Sequence, residues 1–170
     1  RSNGSVMRGV PVGIFYPPGE VREASLRASR VTHFDPIAGE ASAFVNRMVS
    51  GMCRGEEVDA AFGQALAACH NAELRGLLED YRAYPPEPSL DAVLCTHCAV
   101  SIFMDASSFR EAVITAVNLG GDADTVGAIT GGLAGARWGC RAVPRPWFCA
   151  LQDREKLLAL ARRLWGVRRP

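Results

Sequence analysis

Asp122 and Asp124 stand two residues apart behind the pair Gly120-Gly121, with Thr125 beside them. Glycine lets a chain turn sharply and bring its backbone close to a ligand. Two carboxylates and a hydroxyl at one corner are hard oxygen donors, which suit Mg²⁺ or Mn²⁺ better than Zn²⁺. An Asp at a helix start also caps it and complements the dipole. Spacing alone therefore leaves a metal site and a capped loop both open. Asn3-Gly4-Ser5 offers a comparable choice. It is either an ordinary Asn-Gly turn or a run of amides that can face an anion. Cys95-Thr96-His97-Cys98 invites a zinc reading, but zinc needs a second ligand pair and none has matching spacing. At i, i+3 in an apolar helix these cysteines read as small hydrophobes. His70, Cys140 and Cys149 are read the same way, and Trp147 as a core anchor.

The elements that must position these groups are helical. Arg1 to Pro18 reads as loop-rich, with Pro11, Pro17, Pro18 and Gly19 as breakers. Glu20 to Arg30 reads as a short helix. Asp35 can cap the next, with Pro36 in its first turn, running to about Cys53. Glu56 to His70 carries Val58, Ala61, Phe62, Ala65, Leu66 and Cys69 at helical period. Asn71 to Arg82 continues until Pro85, Pro86 and Pro88. The apolar stretch Ser89 to Ala106 is the candidate central helix, and Ser107 or Ser108 caps Phe109 to Asn118. A helix opens at Asp124 or Thr125 and carries Gly131, Gly132 and Gly135, which implies close helix packing. Pro144 and Pro146 bracket a loop. Asp153 to Trp165 closes the chain with Leu157, Leu158, Ala161, Leu164 and Trp165 on one side. No strand of period two stands out, so the class expected is all-α, in one domain.

Composition narrows the function. An apolar fraction of 48% can supply a core, and a net charge of +1 provides no basic field for nucleic acid or an anionic membrane. Six cysteines without a regular framework read as reduced and cytoplasmic. No apolar run approaches the ~18 residues of a membrane span.

The stretch Ala116 to Gly139, AVNLGGDADTVGAITGGLAGARWG, resembles the signature of the ADP-ribosylglycohydrolase family, whose members typically carry GGDxDT here. Ser2 to Arg8, SNGSVMR, is similar to the family's GNGSLMR segment, with Ser2 where Gly is usual. Thr32-His33-Phe34-Asp35-Pro36 is close to its TH-x-DP. The resemblance implies an all-α, orthogonal multi-helix fold and metal-dependent hydrolysis of the bond joining ADP-ribose to a protein side chain or a small acceptor. It implies two Mg²⁺ or Mn²⁺ ions, with Asp122, Asp124 and Thr125 as half the ligand set and Asp124 as the bridging carboxylate. It implies an ADP-ribose cradle of Ser2, Asn3, Gly4, Ser5, Met7, His33 and Gly121, with Asn3 to Met7 and His33 on the far side from the metals. Arg8 is either a phosphate clamp or a buried, ion-paired side chain, and the structural role is the one expected.

The family's general acid/base and a Thr-Asp-Asp metal segment have no counterpart in this sequence. The expectation is that residues 1–170 are the C-terminal part of a single ADP-ribosylglycohydrolase-like domain, inactive alone. The partners expected are the missing N-terminal part and an ADP-ribosylated protein or small molecule, with no nucleic acid and no membrane, in a monomer. A non-catalytic ADP-ribose-binding module and a purely structural relative, as among the crystallins that resemble this family, are the rivals.

Overall fold

The computed structural model describes residues 1–169. Eleven α-helices follow one another: α1 (Gly4–Met7), α2 (Val10–Phe15), α3 (Pro18–Arg30), α4 (Pro36–Cys53), α5 (Val58–Ala67), α6 (Ala72–Glu79), α7 (Ala92–Asp105), α8 (Phe109–Val117), α9 (Ala123–Trp138), α10 (Arg145–Ala150) and α11 (Arg154–Val167). No strand forms among the described residues; the only ladder pairing is an isolated bridge between Ser2 and Asp91.

Caps place the long helices where the sequence suggests. Asp35 accepts from Ile37 N at 2.8 Å, with Pro36 opening α4 where no amide is needed. Asp91 caps α7 through Val93 N and Leu94 N. Ser108 accepts from Glu111 N while Glu111 reaches back to Ser107 N, a reciprocal cap on α8. That contact with Ser107 holds the Glu111 carboxyl below its ordinary value.

The hub is α4, packed against α1, α2, α3, α5, α7 and α9. The apolar pattern pointed to the Ser89–Ala106 stretch, and α7 is indeed buried, but it shares the centre with α4. Small residues all round α4 explain this. From Ala38 to Met52 nearly every residue is buried, and Ala38, Gly39, Ala41, Ser42 and Ala43 let neighbours approach on several sides. The core joins Val6, Phe44, Val45, Met48, Val49, Val93, Val100, Phe103, Ile129 and Leu133. At Gly132 a Cβ would meet Val10 Cγ2 at 2.6 Å, so α9 packs closely as its small residues imply; Gly135 has open space instead.

Three readings need correction. Residues 4–7 and 10–15 are helical rather than looped, because Pro11 falls in the first turn of α2. Pro146 does the same for α10, so the loop expected between Pro144 and Pro146 opens a helix. Trp147 is only half-buried there, and Cys140 and Cys149 are exposed, because α10 and the turn before it lie outside the core. Cys95 and Cys98 do lie in the core, completely buried.

Burial pushes the Cys95 thiol up to about 12 and the Cys98 thiol up to about 11. The thiolate is the reactive form, so these two should be inert in the native state. A chromogenic disulfide reagent near pH ~8 should label Cys140 and Cys149 at once, and Cys95 and Cys98 only on unfolding. Replacing Cys95 and Cys98 together by Ser should lower the unfolding free energy by about 1–3 kcal/mol per buried hydroxyl, without changing metal content. Rapid native labelling of Cys95, or a zinc ion lost in the double variant, would refute the packing described.

Candidate functional site

The turn before α9 is made by Gly120 and Gly121, both at positive φ (79° and 56°). That region strains any residue with a Cβ, which explains the glycine pair. Gly121 also lies against Pro88, whose Cβ would be 3.3 Å from an added methyl. The turn delivers Asp122 to the N-cap position, and α9 starts at Ala123, one or two residues before the start expected from sequence.

Asp122 makes no capping hydrogen bond. One carboxylate oxygen accepts from the Asn3 side-chain amide. The other faces Thr125 Oγ1 at 3.2 Å. Thr125 is buried, and its hydroxyl also meets Met7 Sδ at 3.6 Å. Asp124 is exposed and accepts from Thr125 N at 3.0 Å. The capped-loop alternative thus fails for Asp122: side chains, not the helix backbone, orient its carboxylate.

Asn3 is itself held on several sides. Its Nδ2 donates to Ser89 O at 3.0 Å and its backbone N to Leu90 O at 3.0 Å. Ala92 N donates to Arg1 O at 2.9 Å, and Arg1 pairs with Asp91 and Glu73. Beneath Asn3 lies the buried Cys95 thiol. Sequence reasoning missed residues 88–91 as part of the site. The proline cluster marked them only as a helix stop, and carbonyl acceptors leave no signature in residue type. Pro88, Ser89 and Leu90 line an open groove of about 590 Å³ together with Gly121 and Asp122. Another hollow of about 490 Å³, lined by Arg137 and Trp138 at the opposite end of α9, contains none of these groups.

The remaining candidates separate into surface and support. His33 lies on Gly4, where a Cβ would come within 2.6 Å of the ring. Its Nε2 is 2.9 Å from Ser2 Oγ, and its Nδ1 is 2.8 Å from Thr32 Oγ1. Arg8 is exposed and points at the same Nδ1 from 3.4 Å, so the buried ion-paired role expected for it is wrong. Ser5 is buried; its hydroxyl donates to Ala38 O at 3.0 Å and its carbonyl accepts from Ser42. Its side chain therefore fastens α1 to α4. Asn3 and Met7 touch Asp122 and Thr125 directly, so the Asn3–Met7 segment abuts the carboxylates instead of lying on the far side from them.

Asn3→Ala should destabilise the fold by about 1–3 kcal/mol, since it removes the amide that Ser89 and Asp122 share. Asn3→Asp should cost more, because it sets a second carboxylate against Asp122. Denaturant unfolding of both variants checks the order; equal stability in Asn3→Asp and wild type would deny the contact its importance.

The profile of the ADP-ribosylglycohydrolase family matches residues 1–170. The ADP-ribosyl-[dinitrogen reductase] glycohydrolase of Rhodospirillum rubrum is 30% identical over 175 aligned positions, covering 94% of this chain and 56% of that protein. The ADP-ribosylarginine hydrolase Tri1 of Serratia proteamaculans is 28% identical, covering 96% of this chain and 46% of that protein. A solved structure described as an ADP-ribosylglycohydrolase-related protein complex superposes with a TM-score of 0.89 at 34% identity, over 98% of this chain and 60% of that one. The chain spans about half the length of the curated relatives it matches. Profile, relatives and fold agree over nearly every residue, and this chain belongs to the ADP-ribosylglycohydrolase family.

Proposed function

We propose that the protein carrying this chain hydrolyses the glycosidic bond between ADP-ribose and a protein side chain or small acceptor, with Mg²⁺ or Mn²⁺. The observation that carries this reading is the carboxylate of Asp122. It stands at a helix start without capping it, oriented by Asn3 and Thr125 beside the exposed Asp124. The two named relatives are both hydrolases of ADP-ribosylated substrates, which supports the reaction class.

The donors fit a divalent ion in kind and fall short in number. Asp122, Asp124 and Thr125 supply hard oxygens, while such ions take about six. No group of three or more His, Cys, Asp or Glu suited to an ion occurs among the described residues. The other ligands would come from water, from the nucleotide and from the further length that the relatives possess. We assign the general acid/base to that further length as well. Residues 1–170 then form the C-terminal part of one domain.

A bound divalent ion would polarise the ribose diol and a water beside the scissile bond. This chain's residues do the positioning. Asn3 and Thr125 hold Asp122; Gly121 leaves its backbone open to the groove; Met7 lies against Thr125; Ser2, Gly4 and His33 continue the surface beyond Asn3; Ser5 anchors it from below. Uncompensated, Asp122 and Asp124 repel a diphosphate, so cation binding should precede and strengthen nucleotide binding. No helix among the described residues is long and apolar enough to cross a membrane, and the six cysteines are unpaired, which supports a cytoplasmic setting.

In the full-length protein, Asp124→Ala should cut Mn²⁺-dependent release of ADP-ribose by at least about 100-fold while circular dichroism stays helical. Full activity with unchanged Mn²⁺ dependence would remove Asp124 from the site. Calorimetry should show ADP-ribose binding more tightly with Mg²⁺ or Mn²⁺ than after chelation; equal affinity would contradict the proposed coupling. Residues 1–170 alone should release no ADP-ribose at an enzymatic rate, and turnover by that piece would refute the assignment of the acid/base to the further length.

A further inference from the structure

Both ring nitrogens of His33 are engaged, and the identity of their partners determines where the proton sits. Arg8 Nη2 approaches Nδ1 at 3.4 Å, and a guanidinium can only donate. Thr32 Oγ1, 2.8 Å from the same nitrogen, can donate as well. Nδ1 is therefore the acceptor, and in the neutral ring the proton is on Nε2. That N–H points at Ser2 Oγ, 2.9 Å away. Ser2 Oγ accepts it, which leaves the Ser2 hydroxyl proton free. Ser2 is exposed, and its backbone is pinned by the bridge to Asp91. The ring lies against Gly4, where even a methyl would clash, so it has little room to turn.

We propose that the hydroxyl of Ser2, rather than a nitrogen of His33, is the hydrogen-bond donor this surface presents to a diphosphate oxygen of the nucleotide. His33 is then a positioning residue. It links Arg8 and Thr32 on one side to Ser2 on the other and aims the Ser2 hydroxyl outward. The exposed Arg8 guanidinium at the end of this chain adds positive charge, which favours an anionic acceptor over a neutral ribose hydroxyl. The proposal rests on the ADP-ribose reading of the site.

The test uses the full-length protein with ADP-ribose and Mn²⁺ in a calorimeter, together with nitrogen-15 NMR of the His33 ring in the ligand-free protein. The ring should show the Nε2–H tautomer. Ser2→Ala and His33→Ala should each weaken ADP-ribose binding about tenfold, the scale of one hydrogen bond to a charged group. The double variant should be no weaker than the worse single one, because one change removes the donor and the other releases the aim of that same donor. Ser2→Thr, which keeps the hydroxyl, should retain wild-type affinity. An Nδ1–H tautomer, unchanged affinity in Ser2→Ala, or losses that add in the double variant would each overturn the proposal while wild type still binds. Absence of binding by wild type would instead remove the ADP-ribose reading itself, and this inference with it.

Discussion

One side-chain amide holds the site together. Asn3 Nδ2 donates to the carbonyl of Ser89 and to the carboxylate of Asp122, joining three segments distant in sequence. An amide in a buried position must use its donors, or its desolvation is uncompensated. Here both go to acceptors that themselves need a partner: a loop carbonyl at the proline cluster and an acid at a helix start. Asp122 is thereby released from capping α9, and Thr125 meets its second oxygen. The groove, the carboxylate pair and the Asn3–Met7 segment are adjacent because this contact is made.

Around it the fold relies on close approach more than on large side chains. The interface of α2 and α3 with α4 is notably polar. Asn46 donates to Ser25 and Ser42, and a Cβ on Gly13 would meet the Asn46 carbonyl at 2.4 Å. The buried Oδ1 of Asn46 has no partner among the described residues, so this interface retains some uncompensated polarity. Small residues bring the backbones together, and dispersion across the close contact offsets part of that cost. The same rule seats α9, whose Gly132 admits Val10.

The far end of the chain is different. No residue of α11 is buried; Leu157 and Leu160 are each 50% exposed and Trp165 is 44% exposed. An isolated helix of this length is marginal in water, and α11 rests chiefly on α2, with Arg169 N donating to Phe15 O at 2.8 Å. Its apolar stripe follows helical periodicity, yet nothing among the described residues covers that stripe.

Sequence by itself determined what depends on neighbours along the chain. Helical periodicity, the caps at Asp35 and Ser108, and the Gly-Gly turn that places Asp122 beside Asp124 and Thr125 all act within a few residues, so residue type and spacing reveal them. The family signature is legible for the same reason. Tertiary structure decided which of those groups are free to act. Asn3 meets Asp122 across 119 residues, Ser5 turns inward to α4, Ser2 meets His33, and Trp147 stays outside the core. A hydrogen bond requires two groups within about 3 Å. Which distant atoms come that close is settled only when the helices pack, and no local pattern encodes it.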